Sequence, residues 1–294
     1  MSDPVGLFAG LAGYLEQGIS KVEGWLSPVT ASMIAHLLVG QSLHGLRGDV
    51  CEIGVHHGKL FLVLACATLP EERAVAIDVF GDHDKNLDCS GAGDRGIFEA
   101  HLAAYAPGAE VEIIQRSSLE LAKSGFLDRR FRLISIDGGH TEAVVANDLR
   151  LAERTLLAGG IAALDDILSY DWTGVLSGLV SYLAGGGTLV PFALVPNKLL
   201  LSTDTAVAER GRAAMLHGFP LAASKRNLEF LGGRVDSYWE HPYYSRESSA
   251  GLRLQIEDLH RQLASAQSEA ERLRASASWR LTAPLRRVAA LTRR

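Results

Sequence analysis

The sequence predicts an α/β fold, a doubly wound Rossmann-like and mostly parallel sheet, from two observations. Short apolar runs recur at residues 49–53, 74–79, 110–115, 131–136 and 161–164. Helix-like stretches at 59–67, 96–104 and 142–157 lie between them, and strands alternating with helices of this length build parallel βαβ units. Three of the runs stop abruptly at acids: Ile77 at Asp78, Ile136 at Asp137, and Leu164 at Asp165 and Asp166. An open parallel sheet brings the carboxyl ends of its strands to one edge, so acids far apart in sequence meet there.

Ahead of the sheet, residues 5–44 carry apolar positions at helical spacing, with breaks near Gly24 and Pro28; residues 1–47 form a helical preface. The sheet domain is expected over 48–245. Its later part, at 188–195, 198–202 and 228–231, supplies strands for antiparallel addition at the sheet edge, and residues 182–187 end in three glycines, a turn signal. From residue 246 the composition shifts. Leu252, Ile256, Leu259, Leu263, Ala266, Ala270 and Leu273 alternate spacings of four and three, the seam of a coiled-coil helix. Beyond it, residues 278–294 contain no acid. Trp279, Leu281, Leu285, Val288 and Leu291 with arginines between them make a basic amphipathic segment suited to an anionic membrane surface.

The 294 residues, 47% hydrophobic and 21% charged, describe a globular protein with room for one large domain and an accessory segment. A net charge of −5 gives no overall attraction to nucleic acid. The three cysteines, Cys51, Cys66 and Cys89, form no paired framework, and the first two sit in apolar runs. A reducing, cytoplasmic setting is expected, with no secretory signal and no membrane span.

Val50-Cys51-Glu52-Ile53-Gly54-Val55-His56-His57-Gly58-Lys59 places a glycine-bearing turn between a buried strand and a helix, where a doubly wound fold receives a nucleotide-like ligand. The glycine spacing departs from the dinucleotide fingerprint, which weighs against NAD. Asp78, ending the next strand, is placed to accept hydrogen bonds from ribose hydroxyls. Asp137 precedes Asp165 and Asp166 by 28 and 29 residues. Three acids at one edge repel unless a cation neutralises them, and oxygen ligands suit Mg²⁺ or a similar divalent ion. The bland alternative makes Asp165 a helix cap and Asp137 a loop contact. His140, in the glycine-loosened loop after Asp137, has the residue type for a general base.

Taken together, Glu-Ile-Gly-x-x-x-Gly-Lys, the strand-ending Asp78, Ser-Ile-Asp-Gly-Gly-His and Leu-x-x-Gly-Gly-x-x-x-x-Asp-Asp resemble the class I S-adenosylmethionine-dependent methyltransferases. The branch they resemble is the metal-assisted group that includes sugar O-methyltransferases, and the similarity spans roughly residues 48–202. The loop from Asp88 to Asp94 is similar to that branch as well. The resemblance implies that Glu52, Gly54 and Gly58 line the methionine end of the cofactor. It gives Asp78 the ribose and Ser117 or Ser118 the adenine, with Asp137 at the border of cofactor and metal. Asp137, Asp165 and Asp166 match the metal positions, and His140 the base. Tyr170, Asp171 and Trp172 follow as a candidate sugar-facing wall, with loop anchoring as the alternative.

Residues 278–286 resemble a terminal motif found behind coiled coils in bacterial surface-polysaccharide proteins. That likeness implies an acceptor in surface glycan assembly, self-association or a glycan-assembly partner through 252–273, and peripheral membrane contact through 278–294. A non-catalytic scaffold that organises glycosyltransferases stays open beside the enzyme.

Overall fold

The computed structural model describes residues 8–123, 125–241, 243–244 and the isolated positions 261, 265, 268 and 272. The coiled-coil seam at 252–273 and the basic segment at 278–294 therefore lie outside the described residues, apart from those isolated positions.

Among the described residues, nine strands form one sheet: β1 (Asp49–Ile53), β2 (Arg73–Asp78), β3 (Glu110–Gln115), β4 (Phe131–Ile136), β5 (Leu156–Asp165), β6 (Val190–Val195), β7 (Lys198–Ser202), β8 (Ala223–Phe230) and β9 (Gly233–Tyr238), in the order β3-β2-β1-β4-β5-β7-β6-β9-β8. From β3 through β5 every neighbour is parallel, as the apolar runs predict. Beyond β5 the sheet is mixed: β7 pairs antiparallel with β5 and with β6, and β8 with β9, while β6 and β9 run parallel. The chain leaves β1 towards β2 and β3, then returns to β4 on the other side. That reversal opens a crevice above the ends of β1 and β4, the usual ligand position in such sheets.

The helices are α1 (Ala9–Gly13), α2 (Pro28–Leu43), α3 (Phe61–Cys66), α4 (Arg95–Tyr105), α5 (Glu142–Thr155), α6 (Thr173–Ala184) and α7 (Thr205–Gly218). Strand residues alternate between two buried faces. Val50, Ala74, Ala76, Leu133 and Ala163 pack with Met33, Ile34 and Leu38 of α2, Phe61 of α3, Phe98 of α4 and Met215 of α7. Cys51, Ile53, Val75, Ile134 and Leu164 pack with Val145 and Leu149 of α5 and Val175 and Leu179 of α6. The preface thus shares one apolar cluster with the sheet. Helix α2 starts where proline and serine dictate: Pro28 takes the first turn, and Ser27 Oγ accepts from the Val29 and Thr30 amides.

Several sequence boundaries need correction. Strand β2 ends at Asp78 rather than 79, and α3 is shorter than 59–67. Helix α5 ends at Thr155, because Leu156 already pairs with Phe131 in the sheet; β5 is accordingly ten residues long. The strand expected at 188–195 begins at Val190, and that at 228–231 is the end of the longer β8. Helices α6 and α7 and strand β9 were not expected. In α6 the glycines and β-branched residues blur the helical period. Burial against α5 rather than propensity stabilises that helix.

At the base of the sheet Arg132 is fully buried and donates to the carbonyls of Gly48, Leu38 and Ala67 and to Glu72 Oε2 at 3.0 Å. This pair fastens α2, α3 and the entry of β1 together, far from the crevice.

Candidate functional site

A cavity of about 570 Å³ opens above the carboxyl ends of β1, β2, β4 and β5, a volume suited to a small-molecule ligand. Its floor comes from the turn after β1. The Gly54 amide donates to the Ile77 carbonyl at 2.8 Å and the Asp137 amide to the Ile53 carbonyl at 2.7 Å, so three strand ends are tied at one point. Gly54 has φ +83°, and a Cβ there would lie 1.8 Å from the Asp137 carbonyl oxygen. No other residue fits. Gly58, at φ +91°, would set a Cβ 2.7 Å from Phe98.

All but one of the predicted cofactor residues line this cavity. Glu52, Gly54, Asp78, Ser117, Ser118 and Asp137 line it, while Gly58 lies behind the turn against Phe98. Glu52 is buried, and its Oε2 has no hydrogen-bond partner among the described residues. Burial pushes its carboxyl up to about 8, against the opposing pull of Lys198 and Ser135. A buried acceptor with an unused oxygen at the floor fits a cationic ligand. Asp78 is more occupied than the sequence suggests: Oδ2 accepts from the Val55 and His56 amides at 2.6 and 2.8 Å, and Oδ1 from the Phe80 amide at 2.6 Å. It braces the turn and keeps about one acceptor position for a hydroxyl.

His140 lines the same cavity. Its Nδ1 is 2.9 Å from Asp88 Oδ2, which also accepts from the His140 amide at 2.5 Å, and its Nε2 is 3.3 Å from Asp166 Oδ2. Trp172 stacks on the ring, with centroids 4.2 Å apart and planes 20° apart. Burial alone would lower the imidazole's affinity for a proton, but the hydrogen bonds to Asp166 and Asp88 outweigh it and raise it. Asp88 and Asp166 are in turn held low: burial would raise each, but hydrogen bonds from His140 and from Ser90 or Asn197 prevail. Asp88 supplies the contact that sequence reasoning missed, since its loop showed similarity without a role. The surrounding wall is Asp171 and Trp172; Tyr170 is 89% exposed and outside the cavity lining.

The three strand-end acids do not converge as one set. Asp165 is buried, with Oδ2 2.6 Å from Lys198 Nζ and Oδ1 accepting from Asn197 Nδ2 at 2.9 Å and the Asp166 amide at 3.0 Å. Asp166, at φ +55°, also accepts from Asn197 Nδ2, at 3.0 Å, and its other oxygen faces His140. Asp137 Oδ2 is 3.5 Å from Lys198 Nζ; burial and the Asp165 carboxylate raise its proton affinity against that ammonium. The three contacts of Asp165 leave it about one acceptor position, and its carboxylate is not among the ligand atoms that gather. A different set does come together: ligand atoms of Asp137, His140 and Asp166 all lie within 4.8 Å of one another. The sequence places Lys198 only at the start of a strand. The signal available was a lysine opening an otherwise apolar strand, which has to be paired when buried.

Residues 51–167 match a family model described as a methyltransferase domain. The match runs from β1 past the end of β5 and so covers the strands that build the cavity. No curated protein matches the chain. Among solved structures, similarity extends to the O-methyltransferase NovP, at 12% identity over 68% of this chain and 99% of that one, with a TM-score of 0.49. An O-methyltransferase from Bacillus cereus in complex with SAH aligns at 16% identity over 68% and 90%, with a TM-score of 0.46. CalS11, a TDP-rhamnose 3'-O-methyltransferase of calicheamicin biosynthesis, aligns at 16% over 69% and 96%, with a TM-score of 0.43.

Proposed function

We propose, on the methyltransferase-domain match over residues 51–167, that the protein is an S-adenosylmethionine-dependent O-methyltransferase acting on a sugar hydroxyl in surface glycan assembly. The observation that carries the catalytic reading is His140, held by Asp88 and Asp166 in the cavity that Glu52 also lines. S-adenosylmethionine supplies a methyl group made electrophilic by its sulfonium. Glu52 and the Gly54 turn would hold its cationic methionine end, Asp78 a ribose hydroxyl and Ser117 or Ser118 the adenine side.

The chain's own work is to take the acceptor's proton and align its oxygen. Asp88 fixes the ring so that Nδ1 carries hydrogen and Nε2, beside the Asp166 carboxylate, is the nitrogen left to take a proton, the arrangement by which a carboxylate selects a histidine tautomer. Nε2 takes the hydroxyl proton as the oxygen lone pair forms the O–CH₃ bond and the C–S bonding pair returns to sulfur. The imidazolium so formed lies between two carboxylates, which stabilise it where the charge develops. Trp172 keeps the ring plane, and with Asp171 faces the acceptor.

A second reading retains Mg²⁺ or a similar divalent ion, favoured by the proximity of Asp137, His140 and Asp166. It would bind and acidify the hydroxyl there. The cytoplasmic location, self-association through 252–273 and membrane contact through 278–294 rest on composition and the terminal likeness alone. Among the described residues, no helix is long and apolar enough to cross a membrane.

The test is methyl transfer from labelled S-adenosylmethionine to nucleotide sugars and lipid-linked glycan fragments, with and without Mg²⁺ and with His140→Gln. Transfer by the wild type that collapses in the variant supports the reading. Failure to bind S-adenosylmethionine in a calorimeter sinks it in favour of a scaffold.

A further inference from the structure

Two of the strand-end carboxylates already face a cation. Lys198 opens β7, whose antiparallel register sets it directly opposite Asp165 at the end of β5. Its Nζ lies 2.6 Å from Asp165 Oδ2 and 3.5 Å from Asp137 Oδ2, and its side chain is 2% exposed. An ammonium so placed neutralises the two strand ends as a bound ion would. It also engages Asp165, whose other oxygen accepts from Asn197 and the Asp166 amide. A divalent ion on Asp137 would sit close to a buried positive charge that cannot retreat into water.

We propose that Lys198 is the resident counter-cation of this site, a positioning residue that takes Asp165, shares Asp137 and makes the site independent of a divalent ion. It rests on the methyl-transfer reading only for the reaction it serves; the charge substitution itself does not need it. Lys198 touches no reacting atom. Its part is to keep the ends of β4 and β5 together without metal, leaving Asp166 to His140.

Mn²⁺ is the probe, titrated into the full chain and followed by paramagnetic resonance. Removing the ammonium in Lys198→Met leaves Asp137 and Asp165 uncompensated, and Mn²⁺ is expected to bind the variant about tenfold or more tighter than the wild type. Equal affinity in the two folded proteins, or binding by neither, overturns the proposal. Lys198→Gln serves the same comparison should the methionine variant fail to fold. The wild type gives an independent measurement: after chelation it keeps its melting temperature and its affinity for S-adenosylhomocysteine, and micromolar Mn²⁺ changes neither. A saturable rise of its melting temperature with micromolar Mn²⁺ overturns the proposal whatever the variants do. None of these readouts needs methyl transfer, so failure with every acceptor strikes the proposed function and leaves Lys198 separately decided.

Discussion

Asp88→Asn keeps the shape of the side chain and removes its charge, at the atom that receives both the amide and Nδ1 of His140. Hydrogen bonds to a charged partner contribute roughly 1.5–3 kcal/mol against about 1 for neutral ones. The two side chains are 10% and 11% exposed, so water screens the loss only slightly. An asparagine oxygen can still face His140, but its amide then meets Ser90, which now donates to Asp88 Oδ1 through both amide and hydroxyl. A loss of roughly 1.5–3 kcal/mol at the imidazolium-forming step corresponds to a fall in kcat of about 13- to 160-fold, with the KM for the methyl donor unchanged. The pH profile carries the signature. Asp88 raises the proton affinity of His140, and the base works only when neutral, so activity climbs as pH rises through its titration. Without the charge that climb moves to lower pH. Steady-state methyl transfer across pH checks both effects. An unchanged kcat with an unmoved acidic limb would refute the role of His140 as base held by Asp88.

Three further outcomes follow from other parts of the structure. Gly54→Ala places a Cβ 1.8 Å from the Asp137 carbonyl at a positive φ, so S-adenosylhomocysteine binding, measured by calorimetry, is expected to vanish; retained affinity would contradict the close approach of β1 and β4. Glu72→Ala leaves the Arg132 guanidinium buried without its carboxylate, and urea unfolding should show a loss of about 3–5 kcal/mol; a shift within error would mean that the backbone carbonyls suffice. Asp148 is fully buried on α5, and burial pushes its carboxyl up to about 7. The folded state then holds a proton that the unfolded chain releases near pH ~4, so this group withdraws stability as pH rises from about 4 to about 7. Asp148→Asn should remain flat over that window relative to wild type; parallel melting curves across pH would discard the effect.

The parallel half of the fold was legible because each strand is a short apolar run with its own stop signal. Glu52, Gly54, Asp78 and Asp137 could be placed at one edge from strand order alone, since parallel strands deliver their ends together. Helix α6 and strand β9 were hidden, because their stability comes from the elements they meet rather than from a period of their own. His140 could be named from its loop, but its two carboxylates could not be paired with it. Asp88 lies 52 residues away in a loop without periodicity. Strand order also suggested that Asp165 and Asp166 act together; both accept from Asn197, but Asp165 pairs with Lys198 while Asp166 pairs with His140.

By itself, then, the sequence determined the doubly wound architecture, the edge at which chemistry is gathered and the residue types present there, through hydrophobic period and strand-end placement. Only the tertiary structure decided which charges meet. The antiparallel return of β7 puts Lys198 beside Asp165, and the crossing of the Asp88 loop puts a carboxylate on His140. Both pairings are set by register between distant segments, where electrostatic partners are chosen by proximity in space and leave no mark in local spacing.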